Sequence, residues 1–361
     1  MKRIVSVCSA RPNFVKLAAV HHALLTHPEH FEHVVVHTGQ HYDPLFSDIF
    51  FEQLQIPTPQ HNLGIHGGER EEVFERTETA FVQLLPFIKP DVILVYGDVN
   101  GAVGPARAAD KHAITLGHVE AGLRSFDASM PEEWNRIAMD ELADLLFCTE
   151  ESGVKNLLAE HTDGEIHLVG NTMIDTLVRM LSLMREQTPS IPFGVGDRFA
   201  VVTLHRPSNV DTIEALERNI HFLNDVSAAC PLIFPVHHRL KAAIEKHGFT
   251  DRFNSSIILL PPLGYLPFLR LVDLSAFILT DSGGIQEEAT YLQKRCFTLR
   301  KNTERPSTIL SGSNVLIDIE QETDRRKVLE FAANPQHSSI TIPPLWDGKA
   351  GERILEVLAG K

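Results

Sequence analysis

The chain is poor in several things whose scarcity narrows what it can be. Only four cysteines occur in 361 residues. Cys8, Cys148, Cys230 and Cys296 lie far apart with no CxxC spacing, which argues against a disulfide framework or a thiolate metal site and predicts buried, reduced thiols. Long hydrophobic runs are missing too: VVVH after Glu32 and DVILVYG from Asp91 have strand length, well short of the roughly 20 residues a bilayer span needs, so no membrane partner is expected. Basic residues are outnumbered, 33 against 47 acidic ones for a net charge of −14. That is a poor footprint for a nucleic-acid binder, and no nucleic-acid partner is expected. A local anion site is still open to it, because a few arginines and helix N-termini can hold a diphosphate on an acidic protein. Nineteen histidines form no HExxH and join no Cys/His ligand set, so no metal is expected. The first residues, Met1-Lys2-Arg3 before IVSVC, show no cleavable signal pattern, which fits a cytoplasmic protein.

What is present is a globular composition, 43% apolar and 22% charged, on a chain long enough for two domains. Short apolar runs alternate with helical patterns throughout. Strands are predicted at Ile4–Cys8, His33–Thr38, Val92–Tyr96, Ile114–Val119, Leu145–Cys148 and Ile166–Val169. A second series is predicted at Phe199–Leu204, Leu232–Val236, Ile257–Leu260, Ala276–Thr280, Cys296–Leu299 and Asn314–Ile317. β-Branched runs alternating with helices signal parallel, doubly wound sheets. The expectation is therefore α/β, with two Rossmann-like domains, residues 1–187 and 188–361, joined through the Pro- and Gly-rich TPSIPFGVGDR. The last helix, after Pro343-Pro344, is expected to be able to cross back to the first domain.

Ligands of open α/β sheets sit beyond the carboxyl ends of the strands, so the residues following each strand are the ones to inspect. The first strand runs into Ser9-Ala10-Arg11-Pro12-Asn13-Phe14-Val15-Lys16, which is not GxGxxG; a tightly held NAD is not expected there, nor any other cofactor. It carries Arg11 and Lys16 instead, which taken alone could be ordinary surface cations. Asp98 follows Val92–Tyr96, and Glu120 follows Ile114–Val119 within HVEAGLR, so the two would stand at neighbouring strand ends. Pro131 suits a first helical position, placing Glu132 and Glu133 in a first turn. Macrodipole complementarity would account for these two and helix capping for Asp98, but neither accounts for acids converging on one site. In the second half, strands end at Thr203-Leu204-His205-Arg206 and Val236-His237-His238. The strongest stretch is Leu279-Thr280-Asp281-Ser282-Gly283-Gly284-Ile285-Gln286-Glu287-Glu288, a buried strand turning through Ser-Gly-Gly into a helix. Its start offers unpaired N–H groups to an anion, and Glu288, about one turn in, can accept hydrogen bonds from a ribose diol. Arg305, in Thr303-Glu304-Arg305-Pro306, adds a cation; together these specify a nucleoside diphosphate.

SARPNFVKLAAV, TGQH, GDVN, HVEAGLR, PEEWNR, VGNTMIDTL, TLHR, PVH, LTDSGGIQEEA and TERP, in that order from Arg3 to about Ile317, resemble the non-hydrolysing UDP-N-acetylglucosamine 2-epimerases. The resemblance implies two Rossmann-like domains facing across a cleft, as in GT-B glycosyltransferases, and a UDP-sugar as substrate. It implies a cytoplasmic homodimer that interconverts UDP-N-acetylglucosamine and UDP-N-acetylmannosamine for cell-surface polysaccharide. By resemblance Asp98, Glu120 and Glu132 are the acid/base carboxylates and His205 meets the diphosphate, while Arg11, Lys16, Phe268, Ser282, Gly283, Gly284, Glu288 and Arg305 bind UDP. Which carboxylate is acid and which base stays open. The missing NAD fingerprint beside a diphosphate site favours elimination and re-addition of UDP over oxidation, in agreement with the family's proposed route. Many bacterial members are activated by a second substrate molecule. Gln40, His41 and Arg206 are retained from the segments concerned, but Tyr42-Asp43 and Pro207-Ser208 depart from the usual pattern, so a weak response or none is expected. Alternatives with the same fold are a 2-epimerase of a 2,3-diacetamido uronic acid UDP-sugar, a hydrolysing 2-epimerase and a GT-B glycosyltransferase.

Overall fold

The computed structural model describes the chain except residues 40–43, 189–190, 192–195, 197, 337–338 and 361 and the side chains of 44–48 and 238–239. It separates into two compact units, Met1–Met180 with Pro344–Lys361, and Leu181–Pro343. The division falls inside the helix Thr172–Glu186, whereas the sequence reading puts it just after that helix.

The first unit is built on seven strands: β1 (Lys2–Cys8), β2 (Phe31–His37), β3 (His61–Asn62), β4 (Val92–Tyr96), β5 (Thr115–Ala121), β6 (Leu145–Cys148) and β7 (Glu165–Leu168). All pairs are parallel, in the order β3-β2-β1-β4-β5-β6-β7. Both faces are covered, which is why β4 is apolar along its whole length. Val5, Val7, Ile93 and Val95 pack with Phe74 and Phe81 of the helix Arg70–Ile88 and Val103 and Ala106 of the helix Asn100–Lys111. The alternate residues face the helix Arg11–Leu24, and there the layer contains a polar chain. His21 Nδ1 lies 2.8 Å from His33 Nδ1, His33 Nε2 2.8 Å from Ser6 Oγ, and Ser6 Oγ 2.7 Å from the Tyr96 hydroxyl. The helix Ala350–Ala359 belongs to this unit and packs on Arg11–Leu24. Asp175 accepts the Gly351 N–H at 2.7 Å and Arg353 donates to the Val169 carbonyl at 2.9 Å. Burial of Ile354 and Leu358 adds roughly 1.5–3 kcal/mol each.

The second unit carries β8 (Ala200–Thr203), β9 (Leu232–Pro235), β10 (Ile257–Leu260), β11 (Phe277–Thr280), β12 (Arg295–Thr298) and β13 (Asn314–Leu316). These are parallel in the order β10-β9-β8-β11-β12-β13. Ala200, Val202, Phe277 and Leu279 face one core; Phe199, Val201 and Ile278 face the other. In each sheet the strand order reverses direction at one place, between β1 and β4 and between β8 and β11. In open sheets of this kind, ligands bind beyond the strand carboxyl ends at such switch points. Among the described residues no helix is long and apolar enough to cross a membrane.

Candidate active site

At the switch point of the first unit, β4 gives way to Gly97 with φ of 65°. A Cβ there would lie 2.6 Å from Lys16 Nζ, so glycine is needed for both the turn and the close approach of the lysine. Lys16, five residues after Arg11 at the helix start, is buried and sits 2.6 Å from Glu120 Oε2; the two side chains are 4% and 2% exposed. Glu120 lies where β5 shifts register against β6, with φ of 76°. A non-glycine residue in the left-handed region costs energy of order 1–3 kcal/mol, and such strain collects at functional sites. Asn13 braces the same corner: its carbonyl accepts the Ser9 and Ala10 N–H groups at 3.1 Å, and its amide donates to the Tyr96 carbonyl at 2.7 Å.

Asp98 follows Gly97 and forms an ion pair with the buried Arg136, while Asn135 Nδ2 donates to its carbonyl at 2.8 Å. The turn is held from below by His118, whose Nε2 is 2.8 Å from the Gly97 carbonyl and whose Nδ1 is 2.6 Å from Asp140 Oδ1. Burial pushes the Asp140 carboxyl up, but His118 and Arg124 outweigh it and leave it lowered. The two acids of the helix Pro131–Leu142 part company. Glu133 is buried and accepts from Ser125 N–H and hydroxyl, Phe126 N–H and Arg136 at 2.8–3.0 Å. Glu132 stays partly exposed. Arg11 is half-buried, with its guanidinium 5.5 Å from the Phe50 ring centre.

The second unit builds its site on Asp281, directly after β11. Asp281 is fully buried and accepts the His205 N–H at 3.0 Å, the Arg206 N–H at 2.9 Å and Asn209 Nδ2 at 3.0 Å. His205 Nδ1 lies 2.8 Å from its Oδ1, with the His205 side chain half exposed. Ser282 precedes the helix Gly283–Tyr291 and makes no side-chain capping bond, so the first-turn N–H groups remain for an anion. A Cβ on Gly283 would collide with the Arg305 guanidinium; only glycine lets that arginine reach the helix start. Arg305 lies 3.1 Å from Glu287 and also pairs with Glu304, which in turn holds Arg300 at 2.7 Å. Glu288 is buried one turn inside the helix. Burial raises its carboxyl to about 8, offset in part by the Tyr265 hydroxyl and reinforced by Glu287. Phe268 shares the helix Tyr265–Leu274 with Tyr265 and packs, partly buried, against the core cluster that includes Leu271 and Ile278.

The structure therefore gathers Lys16, Asp98 and Glu120 at one switch point, with Arg11 at the start of the helix that carries Lys16. It gathers His205, Ser282, Gly283, Gly284 and Arg305 at the other, with Glu288 a turn away. Arg206 is bound into the second cluster, its Nε 3.2 Å from the Asp281 carbonyl and its Nη2 3.8 Å from Glu304. Gln40 and His41 lie outside the described residues. Sequence reasoning passed over Arg136, His118, Asp140, Asp281 and Tyr265. An acid closing a buried strand just before Ser-Gly-Gly was a signal for Asp281; nothing in the sequence links Arg136 to Asp98.

Two parallel Rossmann-like sheets, one ending in acids matched by buried cations and the other in a glycine turn with a buried acid, make this an α/β protein of the GT-B-like class. Within that class the chain belongs to the UDP-N-acetylglucosamine 2-epimerase family, whose profile matches residues 23–359. The resemblance seen in the motifs is thus borne out, and the family's reaction type is isomerisation. A UDP-N-acetylglucosamine 2-epimerase of Methanococcus maripaludis is 35% identical over 370 residues, covering 100% of this chain and 99% of that one. The UDP-2,3-diacetamido-2,3-dideoxy-D-glucuronate 2-epimerase of Pseudomonas aeruginosa is 35% identical over 365 residues, covering 99% of each. The crystal structure of Methanocaldococcus jannaschii UDP-GlcNAc 2-epimerase in complex with UDP-GlcNAc and UDP is 36% identical, with a TM-score of 0.91 and 100% of both chains covered.

Proposed function

We propose that this protein catalyses the reversible C2 epimerisation of UDP-N-acetylglucosamine to UDP-N-acetylmannosamine, without NAD and without hydrolysing the product. The observation that carries the reading is the pair of acids on neighbouring strand ends, Asp98 and Glu120, each matched by a buried cation. The C2–H of an N-acetyl sugar has no adjacent carbonyl to acidify it, so its removal needs both a placed base and a good leaving group at C1. In the proposed reaction a carboxylate of the first unit takes the C2 proton. The electron pair of that C–H bond forms the C1–C2 double bond, and the C1–O bond breaks toward UDP, which departs with both its electrons. Return of a proton to the opposite face of C2 and attack of UDP oxygen on C1 complete the inversion.

Asp98, Glu120 and Glu132 are the proposed acid/base groups. Ser282, Gly283, Gly284 and Arg305 are assigned to the diphosphate together with His205, Glu288 to the ribose, Phe268 to the uracil side, and Arg11 and Lys16 to the charge of the substrate. Holding the departing diphosphate on N–H groups and cations stabilises charge where it develops. Family membership supports a cytoplasmic homodimer in cell-surface polysaccharide synthesis. The Pseudomonas relative, as similar as the N-acetylglucosamine enzymes, favours UDP-2,3-diacetamido glucuronate as the second candidate substrate. Incubation with each UDP-sugar and NMR of the products tests the reading. UDP-N-acetylmannosamine from UDP-N-acetylglucosamine supports it; turnover of the uronate alone, or release of free N-acetylmannosamine, replaces it.

A further inference from the structure

We propose that Asp281 is a positioning residue for the reaction: it fixes His205 with a proton on Nδ1 and presents Nε2 to the diphosphate. The inference rests on the reading above that His205 meets the diphosphate. Its physical basis is the saturation of the Asp281 carboxylate. The group is fully buried in the second unit, directly after β11. It takes the backbone N–H of His205 across both oxygens at 3.1 and 3.0 Å, and the Arg206 N–H and Asn209 Nδ2 on Oδ2 at 2.9 and 3.0 Å. Burial alone would push its acidity down, yet the His205 and Asn209 side chains and the Arg206 N–H leave the carboxyl below its ordinary value. Asp281 is therefore an anion, and an ionised carboxylate can only accept hydrogen bonds.

The consequence concerns the imidazole. His205 Nδ1 lies 2.8 Å from Oδ1 of this acceptor, so Nδ1 must be the nitrogen that carries hydrogen. Nε2 is left as the functional end of a ring that is half exposed. A neutral ring then offers a lone pair there; a protonated ring offers an N–H and a positive charge next to the departing diphosphate. Free imidazole would sample both tautomers and many orientations, and the buried anion removes that freedom before substrate arrives. Of the four contacts, three hold the chain from His205 to Asn209 and only one touches the ring. A purely structural role would need the first three and not the fourth. Arg206 is drawn into the same arrangement, its Nε 3.2 Å from the Asp281 carbonyl.

The test is Asp281→Asn in the full-length protein, read in three ways. Nitrogen-15 NMR of the wild-type protein should show hydrogen on Nδ1 of His205, an observation that stands even if the variant does not fold. In the variant the pattern should move toward Nε2–H, and kcat should fall about a hundredfold or more, the scale of losing one preorganised donor at a developing charge. UDP affinity by calorimetry should fall by much less than kcat, since the helix-start N–H groups and Arg305 are untouched. The proposal is overturned by a wild-type ring carrying hydrogen on Nε2 only, by an unaltered tautomer in the variant, or by a kcat within about threefold of wild type. A parallel loss of kcat and UDP affinity would also overturn it, by making Asp281 a loop brace. His205→Ala separates the two levels: full activity in that variant removes the role given to His205, whatever Asp281 does to its ring.

Discussion

The two switch points place their acids in opposite electrostatic settings. In the first unit three acids near the turn each have a buried cation: Glu120 has Lys16, and Asp98 and Glu133 share Arg136. In the second, Glu288 is enclosed with a phenol and a second carboxylate, and burial lifts it to about 8. The diphosphate binding proposed there would fall to backbone N–H groups and to arginines already tied to Glu287 and Glu304. The difference matches the two tasks proposed. A group that moves protons benefits from a fixed charge partner that sets its position, whereas a group that binds a diol can stay uncharged until the ligand supplies donors.

The strongest way to break this comparison is to remove a cation from the first unit. Lys16→Met leaves Glu120 buried without its partner, and loss of one member of a buried pair costs about 3–5 kcal/mol. Thermal unfolding should show a clear drop in the first unit's stability, with turnover reduced by about two or more orders of magnitude. Asp98→Asn and Glu120→Gln should reduce turnover by a similar factor with smaller losses of stability. Wild-type rates in these amide variants would remove the acid/base assignment.

In the second unit, Glu288→Ala should weaken UDP binding by about 1–3 kcal/mol, the range for a hydrogen bond to a charged group. The elevated Glu288 carboxyl adds a sign. If the ribose needs the carboxylate, UDP binding at pH 7 releases a proton, and affinity rises with pH until about 8. Calorimetry in buffers of different ionisation enthalpy measures that release directly; an enthalpy independent of buffer would refute the linkage. For folding the sign is reversed. Stability from the protonated Glu288 is full below its unfolded value of 4.5 and declines as pH rises toward about 8.

A smaller effect separates the units in acid. His33 is lowered to about 3 by burial and by His21, and His21 itself to about 4 by burial, His22 and Arg179. Both lie in the first unit's polar chain beneath the sheet. A histidine held neutral on folding contributes stability that is full above 6.5 and is lost as pH falls toward its folded value, because the unfolded chain takes the proton first. Hydrogen exchange at pH 7 and pH 5 should therefore show β1 and β2 losing more protection than β8 and β11. Equal losses in both units would contradict the assignment of acid sensitivity to this chain. The smallest effect expected is regulatory: with Pro207 and Ser208 beside Arg206, rate against UDP-N-acetylglucosamine should be close to hyperbolic, and a steep sigmoid would show that activation is retained.

The skeleton of both sites was legible in the sequence, because strand-end motifs carry their chemistry in consecutive residues. Gly97-Asp98, Glu120 and Ser282-Gly283-Gly284 stand at the ends of strands whose apolar runs are unmistakable. The partners were not legible, since they come from distant helices: Arg136 reaches Asp98 across 38 positions, and Tyr265 reaches Glu288 from another helix. Helix position alone treats Glu132 and Glu133 alike, as acids in a first turn, and only the family resemblance picks out Glu132. Only packing shows that Glu133 is consumed by Ser125, Phe126 and Arg136. The two-residue β3 escaped notice because His61–Asn62 has no apolar pattern; its pairing with Val36 and His37 makes it a strand.

The central claim, elimination and re-addition of UDP, is tested most directly by turning over UDP-N-acetylglucosamine in D2O with oxygen-18 in the C1–O–P bridge. The account predicts inverted product carrying deuterium at C2, with the label scrambled into nonbridging oxygens of the β-phosphate. Inverted product that keeps its original C2 hydrogen and its bridge label would contradict it.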